Sequence, residues 1–210
     1  MYNTTTERFL FQNKYYGRKL TKETLPLTLR EFMSNGSEVV LPIIPTLLRK
    51  LMDLAVIIKA LNGYRFYASS LLIYYDGDSS SSHYSAQDTP TGRTMHNNSN
   101  HTSSPTLHPN STSSSAAFSA AGLIAKKYQD RSRADLKVID FAHCTPGIYD
   151  EDAMPPYPPM HPDEPDKGYL LGLKNLMMIF REIWNQNGGD LTISQVWLQE
   201  EEALWAGVWD

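Results

Sequence analysis

Residues 64–77, YRFYASSLLIYYDG, decide how this chain folds. Aromatic and branched residues crowd the stretch, which is the composition of a pleated, half-buried strand. Gly63 precedes it, and Asp76-Gly77 supplies turn chemistry at its end. A second short apolar run, Leu136 to Phe141 (LKVIDF), stops at a polar cluster and also reads as a strand. The two are expected to pair as an antiparallel hairpin. Between them, residues 78–120 are dominated by Ser, Asn, His and Thr. Such a tract cannot bury enough apolar surface to offset the entropy of ordering, so a disordered insertion is expected there. Closing a long flexible loop costs little more than closing a short one, and the strands can pair across it.

Helices flank the hairpin in sequence. From Thr46 to Asn62, Leu47, Leu51, Leu54, Ile58 and Leu61 recur at three- and four-residue steps, with Pro45 near the start and Gly63 past the end. That spacing predicts an amphipathic helix. After the second strand, residues 144–168 are crowded with prolines and acidic residues, which excludes a regular helix or a central strand and predicts an extended loop. Asp166 then offers an N-cap to a helix running to Gly188-Gly189, with Leu173, Leu176, Met177, Phe180 and Trp184 forming one apolar stripe. Such a stripe is core. The tail 190–210 carries three tryptophans and mixed charge, and no role follows from it. The expected fold class is α+β, antiparallel strands with flanking helices.

At 210 residues the chain is long enough for one domain, reduced by the polar tract. No run of about 18 apolar residues occurs, so no membrane span is expected. The N-terminus MYNTTTERFLFQNKYYGRK has no leader pattern. An intracellular protein, cytoplasmic or nuclear, is expected. The single Cys144 forms no intrachain disulfide and has no second cysteine for a metal cage, which suits a reducing compartment. Of the sequons at Asn3, Asn97, Asn100 and Asn110, three lie in the Ser/Asn-rich tract, where such triplets arise by chance. The net charge of −4 hides an asymmetry: residues 8–65 carry ten Lys/Arg against four acids, residues 145–210 three against twelve. The basic third can face an anion. The acidic third opposes a nucleic acid.

Asp140, at the end of the second strand, has the placement magnesium needs. A strand-end carboxylate is rigidly held yet accessible, and magnesium takes one or two such oxygens while phosphates and water fill its other positions. Read alone, Asp140 is more often a turn cap after a strand than a metal ligand. Ser69 and Ser70 stand among apolar residues of the first strand, where hydroxyls either bond locally, simply make room for packing, or point into a site. His143 follows Asp140 by three positions and can donate to a phosphate, or be an ordinary loop histidine. No P-loop, glycine-rich phosphate loop or His-Glu-x-x-His is present.

Four strings taken together are more specific: QNKYYGR at 12–18, YRFYASSLLIYYDG at 64–77, VIDFAHC at 138–144 and PDKGYLLGLKNL at 165–176. As a set they resemble the inositol polyphosphate kinase family, most closely its inositol hexakisphosphate kinase branch, over roughly residues 9–187 apart from the insertion. The resemblance implies a kinase of two lobes with ATP between them, phosphorylating a heavily phosphorylated inositol. Residues 1–77 and 121–189 would form the C-terminal lobe. It also implies that Asp140 and Ser70 hold Mg2+ and nucleotide, that Ile139 lines the adenine pocket, and that His143, Lys14 and Arg18 contact the inositol phosphates. The family's signature Pro-x-x-x-Asp-x-Lys-x-Gly is absent from this chain, as is a counterpart to the lobe bearing the ATP-gripping lysine. These 210 residues alone are therefore expected to be inactive or nearly so, either as part of a longer kinase or as a remnant that binds inositol phosphates or a protein partner without turnover.

Overall fold

The computed structural model describes residues 2–77, 134–146 and 161–209. The insertion expected at 78–120 and positions 147–160 of the proline-rich loop lie outside them. The chain opens with a small hairpin, β1 (Tyr2–Asn3) against β2 (Arg8–Phe9), then a single helical turn α1 (Lys14–Gly17) and a short helix α2 (Leu25–Phe32). The long helix α3 (Ile43–Ala60) follows, then β3 (Ser70–Tyr75), β4 (Ala134–Ile139), α4 (Lys167–Gln186) and α5 (Leu191–Trp205). The fold is α+β, with two separate two-stranded antiparallel sheets among the described residues. Among those residues no helix is long and apolar enough to cross a membrane.

Helix α3 begins three residues before its expected start at Thr46. Pro45 misleads because the first four N–H groups of a helix have no intrahelical partner, so a proline in the first turn breaks no bond. Ile44, Leu47, Leu48, Leu51, Ala55 and Ile58 are buried along one face. Helix α4 packs against that face with Leu170, Leu173, Met177, Phe180, Ile183 and Trp184, and β4 lies on α3 as well. Asp166 caps α4 as expected, its side chain accepting from Tyr169 N at 2.9 Å.

The hairpin forms in antiparallel register, Ser70 opposite Ile139, Ile73 opposite Leu136 and Tyr75 opposite Ala134. Leu71, Ile73, Tyr75 and Leu136 pack on the core, and the alternate Leu72 and Tyr74 are exposed. The first strand is shorter than its composition implied, and the second keeps six residues but lies two positions earlier in the chain. Residues 66–69 form a turn instead of continuing the strand: the Ser69 amide and hydroxyl both donate to Phe66 O, at 3.3 and 2.9 Å, and Ala68 takes a left-handed backbone, φ 55°. The second strand stops at Ile139 instead of Phe141, because Asp140 is also left-handed, φ 66°.

Across the hairpin, Tyr74 and Lys50 share one acid. Lys50 Nζ lies 2.8 Å from Asp135 Oδ1 and Tyr74 OH donates to Oδ2 at 2.6 Å. The Lys50 ammonium first, then the Tyr74 hydroxyl, holds the Asp135 carboxyl far below its usual value of 3.8. A depressed carboxyl contributes stability above its unfolded value and loses it as pH falls through the folded one. The stability difference between wild type and Asp135→Asn is therefore expected to stay flat from about pH 7 to about pH 5 and to shrink below about pH 4. Urea unfolding across that range measures it, and a constant difference down to about pH 2 would contradict it.

The tail 190–210, to which the sequence assigned no role, is largely helix α5. Asp190 caps it by accepting from Thr192 N at 2.8 Å, and Ile193, Trp197 and Trp205 turn inward. Trp184 on α4 meets Trp197 with ring centroids 5.2 Å apart, and its Nε1 donates to Asp190 O at 3.0 Å. That ring explains the second glycine of the 188–189 pair. A Cβ at position 189 would lie 2.3 Å from three atoms of the buried indole. Lys59 closes the far end of α5 by donating to Leu204 O and Ala206 O at 2.9 and 3.1 Å.

Candidate functional site

The site is built at the end of the hairpin where the two strands separate. Ser70 and Ile139 are the last paired residues, and Asp140 follows with its left-handed backbone. A non-glycine residue held there costs on the order of 1 kcal/mol or more, and Asp is among the few that tolerate it because its short side chain can bond locally. Beyond Asp140 the chain closes a turn, Cys144 N donating to Phe141 O at 3.0 Å, with His143 exposed on it. Thr145, buried, then re-pairs with the first strand's approach: Arg65 N donates to Thr145 O at 3.1 Å and Thr145 N to Arg65 O at 2.8 Å. The five residues 140–144 are thus bracketed at both ends by residues 65–70.

That bracket is tied to the start of α4. Asp166 Oδ2 accepts from Phe66 N at 2.9 Å while its Oδ1 caps the helix. The Arg65 guanidinium donates to the carbonyls of Tyr64 (2.8 Å), Glu164 (3.0 Å) and His161 (2.7 Å), and Phe66 stacks tilted on Tyr169 at 5.2 Å. Neither Arg65 nor Asp166 was expected at the site beyond the helix cap. Both act on groups about a hundred positions away, and no local pattern in the chain marks such a contact.

The expected site residues divide into two groups. Ser70, Ile139, Asp140 and His143 come together by register and by the turn. Lys14 and Arg18 stand apart at the first residue and the C-cap of α1, both exposed, on a turn capped by the Asn13 side chain and placed against α2 through Tyr16 and Thr28. Among the described residues no hydrogen bond, ion pair or ring contact links them to 139–143.

Among the described residues there is no cluster of three His, Cys, Asp or Glu that could cage a metal. The donor set does suit magnesium. Asp140 presents an exposed carboxylate with no hydrogen-bond or ion-pair partner among the described residues, and the exposed Ser70 hydroxyl belongs to the neighbouring strand. One carboxylate, one neutral oxygen and open positions for phosphate and water are what that ion accepts. Ile139, two-fifths exposed beside them, offers the apolar surface a planar base would cover.

Cys144 reports on the turn. Burial pushes its thiol up first, and the Asp140 and Asp166 carboxylates add to that. Asp140→Asn removes one of these causes, so alkylation of Cys144 by iodoacetamide at about pH 8 is expected to run about twofold faster than in wild type. An unchanged rate would mean that the carboxylate does not face the thiol.

The sequence itself matches known proteins. The inositol polyphosphate kinase family model matches residues 1–181. The chain is 34% identical over 184 residues to inositol hexakisphosphate kinase 3 of Homo sapiens, covering 87% of this chain and 37% of that protein. It is 31% identical over 188 residues to inositol hexakisphosphate kinase 2 of Rattus norvegicus, covering 90% and 39%. With inositol hexakisphosphate kinase 1 of Mus musculus the identity is 32% over 187 residues, covering 89% and 39%. The chain thus spans under two-fifths of the length of these relatives. A family match running from the first β-hairpin into α4, through both strands of the second hairpin and the Asp140 turn, places the chain in the inositol polyphosphate kinase family.

Proposed function

We propose that this chain carries the metal- and nucleotide-facing side of an ATP-dependent kinase whose acceptor is a highly phosphorylated inositol, inositol hexakisphosphate or a near relative. The observation that carries the reading is the hairpin register, which sets Ser70 opposite Ile139 and so beside a left-handed, exposed Asp140. Asp140 and Ser70 would hold Mg2+, which when bound neutralises charge on the phosphoryl group in transfer. Ile139 would cover one face of the adenine. His143, three residues beyond the carboxylate, would donate to a substrate phosphate, and the exposed Lys14 and Arg18 would supply positive charge to the same polyanion. Because the chain lacks the family's Pro-x-x-x-Asp-x-Lys-x-Gly signature, turnover is proposed for a polypeptide that unites these residues with it.

The test is transfer of the terminal phosphoryl group of labelled ATP to inositol hexakisphosphate by the full-length protein. Label in a more phosphorylated product is expected, and none with the 210 residues alone. A thermal shift of those 210 residues, with inositol hexakisphosphate and with Mg-ATP separately, reads binding without turnover. Ligand at a hundredfold its Kd stabilises by about 2.7 kcal/mol. Stabilisation by the inositol phosphate alone, with no transfer by the full-length protein, would replace the kinase by a binding module.

A further inference from the structure

We infer that Asp166, with Arg65, is a positioning residue that sets the Asp140 turn from the start of α4; this rests on the metal-binding reading of Asp140. The turn has two anchors. One is the hairpin itself, through Ser70 and Ile139. The other is the Arg65–Thr145 bridge, an isolated pair outside both strands. Its Arg65 side is tied to α4 and the segment before it. Asp166 fixes Phe66, the next residue, by a charged hydrogen bond to its amide, while the Arg65 side chain grips the carbonyls of His161 and Glu164, and Gly63 N donates to Glu164 O at 3.0 Å.

Asp166 divides its carboxylate between two tasks, one oxygen on the α4 cap and the other on Phe66. Helix α4 is rooted in the core through Leu170, Leu173 and Met177, so it is a rigid reference for whatever it holds. The path from α4 to the metal ligand is Asp166 to Phe66, Arg65 to Thr145, and then the closed turn back to Asp140. A non-glycine residue held in the left-handed backbone region keeps its place only if the surrounding bonds over-determine it. Asp166 and Arg65 supply those bonds at the end that the sheet does not reach.

The two tasks can be separated. Asn at 166 keeps a cap acceptor for Tyr169 N but turns an amide donor or a weakened acceptor toward Phe66 N. In the full-length kinase, Asp166→Asn is expected to raise the Mg2+ concentration for half-maximal activity by about tenfold, as loss of an orienting partner behind a metal ligand does. Its Tm should stay close to wild type. Asp190→Ala, which removes the cap of α5 and touches nothing in the bracket, should lower Tm and leave the Mg2+ requirement unchanged. Arg65→Ala should shift that requirement in the same direction as Asp166→Asn, and the double variant should shift it by less than the product, because both act through one bridge. A wild-type Mg2+ requirement in Asp166→Asn, alongside an inactive Asp140→Asn, overturns the positioning role alone. Equal shifts in Asp166→Asn and Asp190→Ala also overturn it, reducing the effect to stability. A wild-type Mg2+ requirement in Asp140→Asn itself overturns the metal reading, and the positioning role falls with it.

Discussion

On the proposed metal-binding reading, replacing Asp140 by Asn is expected to lower phosphoryl transfer, in a polypeptide that unites these residues with the Pro-x-x-x-Asp-x-Lys-x-Gly signature, by about 10²–10³-fold while leaving the fold in place. Phosphoryl transfer draws on positioning and charge neutralisation more than on covalent chemistry, and removing one preorganised electrostatic partner costs about that much. The backbone should not object, since Asn is, with Asp and Gly, among the residues that enter the left-handed region readily. Nor does the exchange orphan a buried partner, because the carboxylate is exposed with no partner among the described residues. Asp140→Gly separates strain from chemistry. It should be equally inactive yet no less stable, because glycine carries no penalty at φ 66°. Steady-state rates with Mg-ATP and inositol hexakisphosphate, with Tm as the control, decide the matter. An Asn variant within about threefold of wild type would remove Asp140 from the metal site.

The hairpin and the two long helices were legible in the chain because each repeats its own period over many residues. Leu47, Leu51, Leu54 and Ile58 mark one face of α3, and Leu173, Met177, Phe180 and Trp184 one face of α4. That the two strands pair antiparallel was legible too, but the register that joins Ser70 to Ile139 was not, because no tight turn links them to fix it. Nor was the left-handed backbone at Ala68 and Asp140, since neither is a glycine and composition alone made both positions look extended. Helix α2 has eight residues and a proline in its first turn, too short for a period to show. The bonds of Arg65 and Asp166 were hidden for a different reason. They are contacts between segments distant in the chain, made after the hairpin and α4 are in place.

Helix α5 escaped the pattern because one of its core positions is an acid, and that acid carries the largest stability effect expected here. Ile193, Trp197, Glu201 and Trp205 stand at four-residue steps and are all buried, so Glu201 interrupts what would otherwise read as an apolar stripe. Its partner is Arg181 on α4. The two side chains are 6% and 16% exposed, Nη1 meets Oε1 as an ion pair, and neither atom has a hydrogen-bond partner among the described residues. Removing one member of such a pair leaves the other charge buried, at about 3–5 kcal/mol, whereas replacing both with apolar residues of similar size is often neutral or better. Glu201→Ala is therefore expected to lose about 3–5 kcal/mol in urea unfolding, a large share of a typical domain's stability. Arg181→Met with Glu201→Leu should regain most of that loss, which an exposed pair, worth under about 1 kcal/mol, could not produce. A Glu201→Ala variant within about 1 kcal/mol of wild type would show that water reaches the pair. The same cycle tests what α5 does, because Arg181 lies on the helix whose N-cap, Asp166, holds the bracket around residues 140–144. A loosened α5 should lower Tm without changing the Mg2+ requirement, since Leu170, Leu173 and Met177 still seat the start of α4 against α3.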